Sequence, residues 1–223
     1  MNLIKSTIPK HNKSLIVISL LLLMSFSILS IRVVITKTTN YFFLIWNVFL
    51  ACIPYLITIH LSNKKNLNKI GFVLLFASWL AFLPNAPYII TDLFHLKRSA
   101  YNIIWIDTLL ITSFAATGIL LFYFSLNLMK ALLLDFFNKK VSEIIIIVTI
   151  FLSAFGVYIG RFLRYNSWEI LSHPMPLIED VFNMIYHPIV SIEVWLFTLA
   201  FGLFLVAGYY IINCFKLKSG LKY

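Results

Sequence analysis

Six runs of about 20 mostly apolar residues follow one another along this chain, and an α-helix of that length spans the roughly 30 Å hydrocarbon core of a bilayer. They fall at roughly 15–35, 41–61, 70–90, 101–129, 141–163 and 189–215. Because they fill nearly all of the 223 residues, no stretch remains from which a separate water-soluble core can be assembled. The composition agrees: 61% of residues are hydrophobic and 12% charged, where soluble domains have about 45–50% and about 25%. The chain is therefore expected to fold as an all-α, polytopic transmembrane helix bundle of six spans, one integral membrane domain over residues 1–223.

A net charge of +10 would suggest nucleic acid if it formed a patch, but the Lys and Arg residues are scattered between the apolar runs. That distribution belongs to topology determinants beside anionic headgroups, so membrane lipids are the expected partners and nucleic acid is not. Lys5, Lys10, Lys13, Lys64, Lys65, Lys69, Lys130, Lys139, Lys140, Lys216, Lys218 and Lys222 fall on one side. Arg32, Lys37, Lys97, Arg98, Arg161 and Arg164 fall on the other. Twelve against six predicts both termini in the cytoplasm. The first run is too long for a typical signal-peptide core and is read as an uncleaved anchor. Cys52 and Cys214 lie in different runs with no ligand-type neighbour, and no nucleotide-binding motif is present, so no cofactor is expected.

The acidic residues also sort by side. Asp92, Asp107, Glu169, Glu179, Asp180 and Glu193 lie at or near the predicted outer face, leaving Asp135 and Glu143 inside. Acidic residues contribute little to topology, so the bias points to an outward-facing polar site. In the third run, Leu83-Pro84-Asn85-Ala86-Pro87-Tyr88 sets two prolines inside a helical pattern. Proline lacks the amide donor and clashes with the carbonyl four residues back, so the carbonyls of Leu80 and Leu83 are expected to lose their partners and the span to break at Pro84/Pro87. A short second helix over 88–96 would then direct unpaired amides at a cavity. The alternative is a simple kink or helix end capped by Asn85.

Asp92 and His95, three apart, share a helix face. Asp107 and Glu193 sit a few residues inside the fourth and sixth runs, at depths where an ionisable group faces a partner or cavity. The expected partners are Arg161 and Arg164, which follow the GxxxG pattern Gly156–Gly160 and recur with Trp168 at helical spacing. Asp92, His95 and Asp107 are thus the candidate catalytic residues, and Asn85, Tyr88, Arg161, Arg164, Trp168 and Glu193 the candidate binding residues. The alternative is that the charges are ion pairs fastening the bundle. Asn166 and Glu169 form a capping box, and from Pro176 an amphipathic stretch with Leu177, Val181, Met184 and Ile185 toward lipid predicts an interfacial helix before the last span. His173 and His187 precede prolines and read as loop residues; no metal-ligand spacing is present.

The segments 82–96 (FLPNAPYIITDLFHL), Trp105-Ile106-Asp107 and 152–169 (LSAFGVYIGRFLRYNSWE) resemble a family of bacterial membrane proteins catalogued as domain of unknown function 1361. The resemblance implies a bacterial cytoplasmic membrane location and carries over no catalytic residues. The residues suggest a protein that handles an anionic lipid or headgroup-type substrate at the outer face. The competing readings are a small-solute or proton-coupled transporter, using the broken span and Asp107, and a membrane assembly subunit with GxxxG as its contact face. A C-terminal fluorescent reporter is expected to be bright and a C-terminal phosphatase fusion inactive; the reverse pattern would remove the outward placement of the site.

Overall fold

The computed structural model describes residues 8–64, 68–99, 101–165 and 174–218. Helix α1 (Ile8–Thr36) leads into α2 (Phe43–Asn63), followed by α3 (Lys69–Phe82), a single turn α4 (Asn85–Tyr88) and a ten-residue 3₁₀ segment, Ile89–Arg98. Then come α5 (Ile104–Leu133), α6 (Lys139–Phe162), a shorter α7 (Pro174–Tyr186) and α8 (Ile192–Lys218). Among the described residues six helical stretches are long and apolar enough to cross a membrane, the third running through α3, α4 and the 3₁₀ segment to Lys97. The all-α bundle expected from the apolar runs is the one observed. Asn68 and Asn138 start α3 and α6 by accepting from the amides of Gly71 and Val141, at 2.8 and 2.9 Å.

Helix α5 is the axis of the bundle. It packs against α1, α2, α4, the 3₁₀ segment and α6, while α8 packs on α6. Accordingly Leu110, Ile111, Phe114, Phe122, Leu126 and Met129 are fully buried. Lipid supplies no hydrophobic drive for helix association, so specific contacts must hold the helices together. Trp79 donates from its indole to Ser125 at 2.7 Å, and Tyr123 donates to the Leu205 carbonyl at 2.9 Å. At one end of the bundle Lys130 pairs with Glu143 and reaches the Tyr209 hydroxyl at 3.2 Å, tying α5, α6 and α8.

The third span is interrupted where the prolines fall, but more gently than expected. Leu83, Pro84, Tyr88 and Ile89 all keep right-handed helical dihedrals. The carbonyl of Leu83 does not lose its partner: it accepts from Ala86 at 3.2 Å, and Pro84 accepts from Tyr88 at 3.1 Å. The Asn85 amide caps α3 by donating to the Phe82 carbonyl at 2.9 Å. The expected helix over 88–96 is instead the turn α4 and the 3₁₀ segment, and the amides of Ala86 and Tyr88 are spent within the turn rather than aimed at a cavity. A 3₁₀ run this long is uncommon.

Close packing fixes that turn. Gly118 of α5 lies against the Ala86 carbonyl, and on α6 a Cβ at Gly156 would lie 2.6 Å from Pro84 Cγ, one at Gly160 3.3 Å from Tyr88. The GxxxG face is thus occupied within the chain, by the proline turn. Helix α7 turns a different face inward than the sequence suggested: Leu177, Val181 and Met184 face the bundle, and Met175, Ile178, Phe182, Ile185 and Tyr186 are exposed.

Gly118→Ala forces a methyl onto backbone and is expected to cost about 1–3 kcal/mol. Gly202→Ala, which meets only the ring of Phe151, should cost less because a ring can swing aside. Thermal unfolding in one detergent checks the order; equal losses would show that the turn yields as readily as a side chain.

Candidate functional site

Most of the predicted polar residues do collect at one end of the bundle, but in two separate networks. The first centres on Arg161, in the last turn of α6, where a cation is favoured by the helix dipole. Its guanidinium pairs with Asp92, donates from Nε to the Thr91 hydroxyl at 2.7 Å and lies 3.4 Å from His95 Nε2. Its Cζ sits 4.4 Å from the centre of the Tyr88 ring. Three residues per turn in the 3₁₀ segment stack Asp92 above His95, 4.0 Å apart, and bring Tyr88 and Thr91 onto the adjoining edge. From α2, Asn47 donates to the other Asp92 oxygen at 2.8 Å. Asp92 is 1% exposed and His95 33%, so His95 is the member that meets the surroundings; its ring packs on Phe43 at 4.8 Å.

The second network surrounds Asp107, expected beside Arg161 and Arg164 but paired instead with Arg32 of α1 at 2.9 Å. Packing of α1 against α5 decides this, and Arg161 of α6 is taken by Asp92. Tyr41 and Ser99 donate to the second Asp107 oxygen at 3.0 and 2.7 Å. Arg32 also donates to Thr36 at 2.6 Å and to Thr38. The Tyr41 ring lies 4.7 Å from the guanidinium carbon of Arg32. Burial pushes the Tyr41 phenol above its ordinary pKa, reinforced by the Asp107 carboxylate, with Ser99 and Arg32 acting the other way. With side chains of 5% and 0% exposure, Arg32 and Asp107 are closed to any ligand.

Arg164 and Glu193 join neither network. Arg164 is exposed in the left-handed region, φ 65°, at the turn that ends α6, where the Tyr165 amide bonds back to the Ile159 carbonyl at 3.4 Å. A left-handed residue just past a helix C-terminus is a position normally taken by glycine. Glu193 is exposed in the first turn of α8. Trp168, the capping box of Asn166 and Glu169, and His173 lie outside the described residues.

Beside the Arg161 network is a cavity of about 240 Å³, bounded by α2, α3, α4, α6 and α7. Asn47, Asn85, Tyr88, Tyr165 and Trp46 form its polar and aromatic wall, and Leu50, Leu80, Ala81, Ile159 and Leu177 its apolar one. Gly156 and Gly160 also line it, where Pro84 and Tyr88 pack against α6. Tyr165, delivered by the Arg164 turn, donates to Asp180 of α7 at 2.8 Å, holding α7 over the cavity. No three His, Cys, Asp or Glu side chains among the described residues gather closely enough to hold a metal ion.

A family profile matches residues 46–207. The chain belongs to the family described as Protein of unknown function (DUF1361). The match takes in the proline turn, both carboxylates, Arg161 and the cavity, whereas Arg32 and Tyr41 precede it. No curated protein and no solved structure matches the chain.

The sequence alone missed Asn47, Thr91, Tyr41, Ser99 and Arg32. Of these only Arg32 left a signal, an ionisable residue inside an apolar run that needed a counter-charge.

Asp107→Asn strands the Arg32 guanidinium without its counter-charge and is expected to cost about 3–5 kcal/mol in denaturant unfolding in micelles. Arg32→Met combined with Asp107→Leu removes both charges and should recover most of that loss. A double variant as unstable as the single one would show that charge pairing is not the source.

Proposed function

We propose that this protein binds the headgroup of a membrane amphiphile, an anionic lipid or headgroup-type substrate, in the cavity beside Arg161. The site faces the outside of a bacterial cytoplasmic membrane, with both chain termini in the cytoplasm. The observation that carries the reading is the cavity's mixed wall: amides and phenols on one side, aliphatic side chains on the other, beneath an amphipathic helix whose outer face is apolar. At about 240 Å³ it is smaller than the roughly 300–1,000 Å³ pockets that enclose a drug-sized ligand, so it suits a headgroup and not acyl chains.

Arg161 does not grip the ligand directly in this reading. Its donors are spent on Asp92, Thr91 and His95, and it stiffens the wall through Tyr88. The anionic contact falls to Arg164, exposed and next to the cavity residue Tyr165. A non-glycine residue held at positive φ costs of order 1–3 kcal/mol, and such strain collects at functional positions. Asp107 serves as an anchor, and any proton transfer at the site runs through His95. Transport receives less support, because the interrupted span is wedged against three glycines instead of being free to move. An assembly role resting on the GxxxG face conflicts with that face being filled by Pro84 and Tyr88.

A photoactivatable phosphatidylglycerol, with its diazirine near the headgroup, tests this on the full chain in nanodiscs. Cross-links are expected on peptides carrying Trp46, Tyr88 and Tyr165. Ala81→Trp, which fills the cavity from an exposed lining position, should reduce them severalfold. Labelling spread evenly over the lipid-facing helices and indifferent to Ala81→Trp would overturn the proposal.

A further inference from the structure

Among the described residues, the wall of the cavity holds no charged side chain. Arg161, packed on the lining Tyr88, and Asp92, bonded to the lining Asn47, pair with one another, and Asp180 is taken by the lining Tyr165. A charged group entering such a space gives up its hydration and meets no counter-charge, a cost that neutral polar groups largely escape by hydrogen bonding. What the wall offers is the Tyr88 hydroxyl, the Asn47 amide oxygen and aromatic ring surface, a set that suits hydroxyl groups and the C–H faces between them.

Tyr88 is central to this. It lines the cavity, is half-buried, and its hydroxyl makes no hydrogen bond to another described residue. The Arg161 guanidinium lies over its ring and Gly160 packs beside it, so the phenol cannot rotate away without losing a cation–π contact. Asn47 is similarly fixed: it spends one amide hydrogen on Asp92 and keeps its carbonyl oxygen as an acceptor. A rigid donor and a rigid acceptor in one small cavity match a hydroxyl, which both accepts and donates.

We infer that the cavity takes an uncharged, hydroxyl-bearing lipid headgroup of the glycerol or sugar type, seated between Tyr88 and Asn47. The inference rests on the headgroup reading above and narrows its substrate class. The charge of an anionic lipid then stays at the mouth, on its phosphate near Arg164, while the hydroxylated end enters.

The full chain in nanodiscs, labelled with photoactivatable lipids that share one diazirine placed beside the glycerol ester, next to the headgroup, separates the possibilities. Phosphatidylglycerol should cross-link to the cavity peptides roughly three- to tenfold more than phosphatidylethanolamine or phosphatidate, the range expected for one or two hydrogen bonds. Phosphatidylethanolamine would bring an ammonium into the cavity, and phosphatidate has no distal head. Tyr88→Phe, which keeps the ring and its cation contact, should abolish the preference while total cavity labelling persists. Cavity labelling without preference, or a preference unchanged in Tyr88→Phe, overturns the inference and leaves the headgroup reading standing. No cavity labelling by any lipid removes both. Suppression of phosphatidylglycerol labelling by an equal concentration of free glycerol 3-phosphate would overturn the lipid assignment, because the ligand would then be a soluble polyol.

Discussion

Arg161 is the hinge of the architecture at the polar end of this protein. A guanidinium near the edge of the hydrocarbon region must be met by a counter-charge and by acceptors for its remaining donors. Here a single stretch of 3₁₀ helix supplies Asp92, Thr91 and His95, and Tyr88 supplies a ring face. The three-residue repeat sets Asp92 directly in line with His95, where an α-helix would offset the pair by about 60°. The proline turn feeds the chain into the 3₁₀ segment, and glycines at 118, 156 and 160 allow the turn to approach α5 and α6. The irregular third span, the small residues facing it and the cavity beside them thus meet around one largely enclosed cation.

The bundle is also held at both ends of its central helix. Near its start α5 carries Asp107, bound to α1 through Arg32; near its finish it carries Lys130, bound to α6 and α8 through Glu143 and Tyr209. Between them, burial of Leu110, Phe114, Phe122 and Met129 is non-directional. Ion pairs in an apolar setting are directional and costly to leave half-made, so they set the register that apolar contact leaves loose.

How much of this was legible beforehand depends on what kind of interaction placed each residue. Span number and position came from apolar length, a property of the chain by itself, and the helices match it within a few residues. The pairing of Asp92 with His95 came from local spacing and survived the change from α to 3₁₀ because both place i and i+3 together. The partner of Asp107 was misread, since whether α1 or α6 lies beside a given face of α5 is settled by packing that no periodicity encodes. Helix α7 was misread by rotation: its pattern has apolar residues nearly all round, and only the bundle beneath it selects Leu177, Val181 and Met184 as the inner face. Asn47 gave no signal at all, as a lone amide in an apolar run looks the same whether or not a carboxylate waits across from it.

The Arg32–Asp107 pair has a consequence for how the chain enters the membrane. The two residues are 75 apart, and the arginine comes first. A carboxylate near a helix end is poorly accepted by lipid on its own, but by the time α5 emerges, α1 and α2 already present Arg32 and Tyr41 as a prepared berth. Synthesis order and electrostatics run in the same direction. The first hairpin therefore serves as an internal receptor for the central helix, although its Arg32 and Tyr41 precede the region that the family shares.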